Sequence, residues 1–91
     1  MSARRVVISG QVQGVWYRAW TVGEATKRGL RGWVRNLRDG KVEALFAGPI
    51  IEVEAMIDAC RRGPPLARVT GIETHEADEP DRPGFHQLPD G

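Results

Sequence analysis

Two stretches of this chain hold residues whose types and spacing could do chemistry. The first is Gly10-Gln11-Val12-Gln13-Gly14-Val15-Trp16-Tyr17-Arg18. It reads as the end of a strand, a glycine-containing turn, and the start of a helix that carries an arginine. In such a turn the first N–H groups of the helix have no intrahelical partners, and the positive end of the helix dipole points the same way. Arg18 adds a planar fork that matches two oxygens of an anion. The spacing thus describes an anion cradle. It equally describes a plain strand-to-helix connection with an exposed arginine. It is neither a dinucleotide fingerprint nor a Walker loop, because G-x-G-x-x-G and Gly-Lys-Ser/Thr are both missing. The second stretch is Gly32-Trp33-Val34-Arg35-Asn36-Leu37-Arg38-Asp39-Gly40. Asparagine late in a strand is uncommon. Asn36 either caps the following turn or offers a carboxamide to a site.

The elements that must position these residues follow from the hydrophobic pattern. Arg5 to Val12 alternates, with Val6, Ile8, Gly10 and Val12 on one face, which predicts a strand. Arg18 to Arg28 predicts a helix that stops at Gly29. Leu30 to Leu37 and Lys41 to Ala47 predict two strands, joined by a tight turn at Arg38-Asp39-Gly40, where Asp-Gly can supply positive φ angles. Residues 50–62 give the clearest helix, with Val53, Met56, Ile57 and Cys60 at i, i+3, i+4 and i+7. Ala67 to Glu76 predicts a fourth strand with a bulge near Gly71, and Phe85 to Leu88 can close the sheet as a short fifth strand. The order is β-α-β-β-α-β, the split β-α-β or ferredoxin-like pattern: an α+β sandwich with an antiparallel-rich sheet under two helices on one face. The first crossover makes strands one and two parallel and right-handed in connection. Their C-terminal ends share one edge of the sheet, so Arg18 and Asn36 are expected to be neighbours although 18 positions separate them.

With 91 residues the chain is expected to form one domain, with residues 1–4 and 89–91 as flexible ends. The composition, 41% hydrophobic and 27% charged, is that of a globular protein rather than a disordered or fibrous one. Lys plus Arg total 13 against 12 Asp plus Glu, a net charge of +1, which is too little to hold nucleic acid by bulk charge. The single cysteine, Cys60, makes no internal disulfide and no multi-cysteine metal site. On the apolar face of a helix it reads as a buried, inert thiol. His75 and His86 lack the partners of a metal site. Trp16, Trp20 and Trp33 read as core or rim packing, since no RNA-recognition octamer accompanies them. Arg31, Arg35 and Arg38 form either a solvated strand face or a field that draws in anions. The apolar run Val6-Val7-Ile8 is too short for a signal segment or a membrane span, so the cytoplasm is the default expectation.

Taken together, the two stretches resemble the two signatures of the acylphosphatase family. Ile8-x-Gly10-x-Val12-Gln13-Gly14-Val15-x-Tyr17-Arg18 resembles the first, with Tyr17 where phenylalanine is usual. Gly32-Trp33-Val34-Arg35-Asn36-x-x-x-Gly40-x-Val42-x-x-x-x-x-Gly48 resembles the second at every specified position. The likeness runs from about residue 5 to residue 72 and weakens in the tail Phe85-His86-Gln87-Leu88-Pro89-Asp90-Gly91. The resemblance implies a ferredoxin-like fold and hydrolysis of a carboxyl–phosphate anhydride to carboxylate and phosphate, without metal or cofactor. It implies Arg18 as the phosphate-binding arginine, Asn36 as the water-positioning asparagine, and the turn Gln13, Gly14, Val15, Trp16, Tyr17 and Arg18 as the source of phosphate-binding amides. The expected partners are a small acyl phosphate as substrate and inorganic phosphate as product and competing ligand. Nucleic acid and membrane are not expected, and the chain is expected to act as a monomer.

The residues agree with that chemistry. Neither motif holds a His, Cys, Asp or Glu in a matched site position, and Asp39 reads as a turn residue. A carboxylate, whose conjugate acid has a pKa of about 4, departs without protonation. An alkoxide would want a general acid or a metal. Two rivals remain at this level: a non-catalytic phosphate-binding module on the same cradle, and an RNA-binding domain on the same fold.

Overall fold

The computed structural model describes residues 1–91. Seven elements follow in the order β1 (Ser2–Gln11), α1 (Tyr17–Lys27), β2 (Arg31–Asn36), β3 (Val42–Gly48), α2 (Ile50–Arg62), β4 (Arg68–Glu76) and β5 (Phe85–Gln87). The sheet runs β4-β1-β3-β2-β5. β3 is antiparallel to both β1 and β2, so β1 and β2 run the same way, and only β5 pairs parallel, with β2. α1 lies over β2 and β5, and α2 over β1, β3 and β4. This is the ferredoxin-like β-α-β-β-α-β sandwich with a fifth strand added at the β2 edge.

The strands form where β-branched alternation dictates. Val6, Ile8, Val34, Val42, Ala44 and Phe46 turn toward the helices and are fully buried, joined there by Tyr17, Val53, Met56, Ile57 and Cys60. The face without helices carries an ion-paired cluster beside a small apolar one of Ala3, Leu45 and Ala47 with Trp33. Glu43 accepts from Arg5 at 3.0 Å and from Arg35 at 2.7 Å, and the Arg35 guanidinium sits 5.3 Å from the Trp33 ring. Arg31 pairs with Glu79. Arg31 and Arg35 are therefore engaged with carboxylates, which supports the solvated-face reading over a free cationic field.

Several expectations shift. Residues 2–4 are no flexible extension: they begin β1, with Ser2 opposite Gly48, and Ala3 packs against Leu45 and Ala47. The bulge expected near Gly71 is present, as Ser9 faces Gly71 while Gly10 faces Val69. Gly10 is required there: at φ 124° a Cβ would lie 2.0 Å from the Arg68 carbonyl oxygen. The β2–β3 turn takes a positive φ at Gly40 alone. Asp39 instead accepts the Lys41 N–H at 3.0 Å, an Asx-type closure, and Leu37 N–H donates to the Lys41 carbonyl at 2.8 Å. β5 is one residue shorter than expected, since Leu88 leaves the strand after donating its N–H to the Val34 carbonyl at 2.8 Å. The final residues are also tied: Gly91 N–H donates to the Asn36 carbonyl at 2.8 Å. No helix is long and apolar enough to cross a membrane.

Candidate active site

β1 and β2 deliver their C-terminal ends to the same side of β3. Ile8 and Asn36 both pair with Val42, so the two strands lie level there across one intervening strand, and β1 runs on to Gln11 along β4. Four residues after Ile8 the chain leaves the sheet at buried Val12 and turns through Gly14, at φ 74°, and Trp16, at φ 67°. Gly14 adopts this left-handed conformation at little cost, whereas Trp16 is a bulky residue held in a region few such residues visit. α1 then starts at Tyr17. No side chain caps its N-terminus and no acidic residue lies in its first turn. The first intrahelical bond runs from Trp20 N–H to the Trp16 carbonyl, 3.0 Å. The N–H groups of Tyr17, Arg18 and Ala19 are thus free of helical partners, at the positive end of the helix dipole.

These groups open onto a cavity of about 350 Å³, lined by Val12, Gly14, Trp16, Tyr17, Arg18, Ala19, Asn36 and Gln87. That volume suits a small molecule. Arg18 and Asn36 share this one wall, as the parallel arrangement of β1 and β2 demands. Asn36 is 8% exposed, and none of the side-chain hydrogen bonds in the chain occupies its carboxamide. Of the predicted cradle, Gly14, Trp16, Tyr17 and Arg18 reach the wall, whereas Gln13 and Val15 do not. Gln13 has a different task. Its Nε2 donates to the Leu37 carbonyl at 2.7 Å and to the Lys41 carbonyl at 2.9 Å, clamping the turn to the hairpin that follows Asn36.

Tyr17 anchors the start of α1 from inside. Its ring is 1% exposed and its hydroxyl donates to the Cys60 carbonyl on α2 at 2.6 Å. Burial, reinforced by neighbouring Cys60, raises the Tyr17 pKa far above the usual phenol range. Burial likewise pushes the Cys60 thiol up to about 12, outweighing the nearby Tyr17 hydroxyl and the charge of Arg28, which act downward. Neither group is a nucleophile or base near neutral pH. The cavity wall carries no carboxylate, imidazole or thiol.

Sequence reading missed two neighbours of the site. Gln87 of β5 lines the cavity, and the Asp90 carboxylate accepts a hydrogen bond from Arg18 Nη1 at 3.1 Å. Both lie in the tail, where the motifs end, so no spacing signal pointed to them. No group of three or more His, Cys, Asp or Glu side chains is placed to hold a metal.

Fold and site together define a ferredoxin-like domain built to seat a small oxyanion. A family model described as acylphosphatase matches residues 4–87. An acylphosphatase of Rhodospirillum rubrum is 58% identical over 89 residues, covering 98% of each chain. One of Rhizorhabdus wittichii is 53% identical, over 96% of this chain and 88% of its relative. The crystal structure of the acylphosphatase from Bacillus subtilis superposes with a TM-score of 0.91 at 36% identity, covering 97% of this chain and 99% of that one. The chain belongs to the acylphosphatase family, and its activity is the hydrolysis of acyl phosphates to a carboxylate and phosphate. Its substrate is a small-molecule acyl phosphate.

Proposed function

We propose that Arg18 and the free amides of the turn between residues 13 and 18 hold the phosphoryl group, and that Asn36 aims the attacking water. The observation that carries this reading is the single cavity shared by Arg18 and Asn36, with unpartnered helix N–H groups on the same wall. The donors face oxygens whose charge shifts as the P–O bond to the leaving group breaks, which is where preorganised dipoles contribute most. The Asn36 carboxamide accepts from the water and holds it in line with the leaving carboxylate. Asn36 does not titrate, so the proton of the water passes to a phosphoryl oxygen of the substrate itself. The acyl–oxygen fragment departs as a carboxylate and needs no proton. With no acid on the wall, an alkyl phosphate, which must leave as an alkoxide, gains no comparable help.

The reaction uses no metal or cofactor, and inorganic phosphate competes for the seat. The ion-paired outer face of the sheet, Arg5–Glu43–Arg35, supports action as a monomer. A net charge of +1 argues against a nucleic-acid partner. The single, buried, unpaired Cys60 suits a cytoplasmic enzyme.

Phosphate release from benzoyl phosphate and from ethyl phosphate, each with excess EDTA, tests this chemistry. The acyl phosphate is hydrolysed at full rate and the alkyl ester is not measurably cleaved. Loss of the first activity in EDTA, or comparable cleavage of the second, would show that a metal or an unseen acid takes part.

A further inference from the structure

Trp16 is left unexplained by the phosphate seat. It is 78% exposed and it stands on the wall of the same cavity as Arg18 and Asn36. The other two tryptophans have partners: Trp20 meets the Tyr17 ring edge-on at 5.4 Å, and Trp33 lies under Arg35. Trp16 has no aromatic or cationic neighbour of this kind. None of the other large exposed apolar residues, Met1, Ile50, Ile51 and Leu66, lines the cavity. The left-handed backbone at Trp16 sets the residue between Gly14 and the first turn of α1.

We propose that the indole of Trp16 binds the acyl part of the substrate and makes the enzyme selective for flat, apolar acyl groups, aromatic ones above all. The proposal rests on the seating of phosphate by Arg18 and the turn amides. With the phosphoryl group held there, the acyl group must lie along the rest of the same cavity. Its remaining lining residues are small and apolar, Val12 and Ala19, or neutral and polar, Gln87, besides the Asn36 that faces the water and the sequestered Tyr17. Apart from Arg18, which the phosphoryl group takes, no cationic residue lines the cavity, and the Asp90 carboxylate lies beside it, which disfavours acyl groups that carry a second carboxylate. An aromatic acyl group covers indole surface and stacks on it, whereas an acetyl group covers very little.

The test compares kcat/KM for benzoyl phosphate with that for acetyl phosphate in wild type, Trp16→Asn and Trp16→Phe. Asparagine tolerates the left-handed backbone. Comparing the ratio between variants cancels the difference in intrinsic reactivity of the two substrates. The benzoyl-to-acetyl ratio is expected to fall about tenfold in Trp16→Asn, at the upper end of what an aromatic pair supplies, and to recover in Trp16→Phe. A ratio within about twofold of wild type in Trp16→Asn, or an equal loss on both substrates, overturns the proposal. A second measurement needs no variant. In the wild-type protein, phenacylphosphonate should shift the Trp16 indole N–H resonance and acetonylphosphonate should not, and equal shifts would overturn it. Failure of the phosphate seat reads out separately, as binding of both phosphonates that survives Arg18→Gln.

Discussion

Arg18 meets one anion in the structure, and the proposed mechanism brings it a second. The Asp90 carboxylate accepts from its Nη1, and the phosphoryl group, as proposed, takes the same fork. Asp90 is 68% exposed at its side chain, so the pair is a surface ion pair worth at most about 1 kcal/mol. Substrate can displace it or share the guanidinium at small cost. Asp90→Asn should therefore lower the KM for acyl phosphates and the inhibition constant of phosphate, by up to about fivefold at low ionic strength, and high salt should erase the difference. A higher KM in the variant would mean that Asp90 orients Arg18 rather than competing for it. At this scale the sequence was informative where a residue type is rare in its setting. Arg18 after a glycine turn and Asn36 late in a strand both stood out. Asp90 and Gln87 did not, because contact through a short closing strand leaves no local pattern.

The elements bring the two motifs together, and one side chain holds them so. β1 and β2 both reach Val42 of β3 running in the same direction, β1 continuing three residues further along β4, and that shared direction was predictable from the crossover rule alone. Gln13 then bridges the turn after β1 to both ends of the β2–β3 loop, through the Leu37 and Lys41 carbonyls. Alanine at this position leaves two partly buried carbonyls without that donor and should cost about 1–3 kcal/mol. The urea midpoint of Gln13→Ala should drop with an unchanged m value. An unaltered midpoint would show that the turn keeps its place without the clamp. Strand and helix cores were legible because their periodicities are strong, α2 most clearly, with Val53, Met56, Ile57 and Cys60 all buried. α1 was less so: it buries only Tyr17, Thr21 and Ala25, a stripe too narrow for an apolar pattern to mark. Its start is set by the turn and by the Tyr17–Cys60 hydrogen bond, both of which depend on distant chain.

Across the whole molecule, helices cover one sheet face, ion pairs and a small apolar cluster share the other, and the site opens toward the C-terminal ends of β1, β2 and β5. The fold class was readable from element order. The ends of the chain were not: residues 2–4 look like a polar leader yet pair with β3, and residues 89–91 look like a loose tail yet bond to Asn36 and Arg18. Both are fixed by partners more than 40 positions away, which no local window contains. The central claim is a division of labour between a guanidinium that binds and a carboxamide that aims water. It is tested most directly by comparing Arg18→Gln and Asn36→Ala for benzoyl phosphate turnover and for inhibition by inorganic phosphate. We expect Arg18→Gln to lose both, and Asn36→Ala to lose turnover by at least about a hundredfold while phosphate inhibits it as in wild type. Retention of most of the wild-type rate by Asn36→Ala, or undiminished phosphate inhibition in Arg18→Gln, would contradict it.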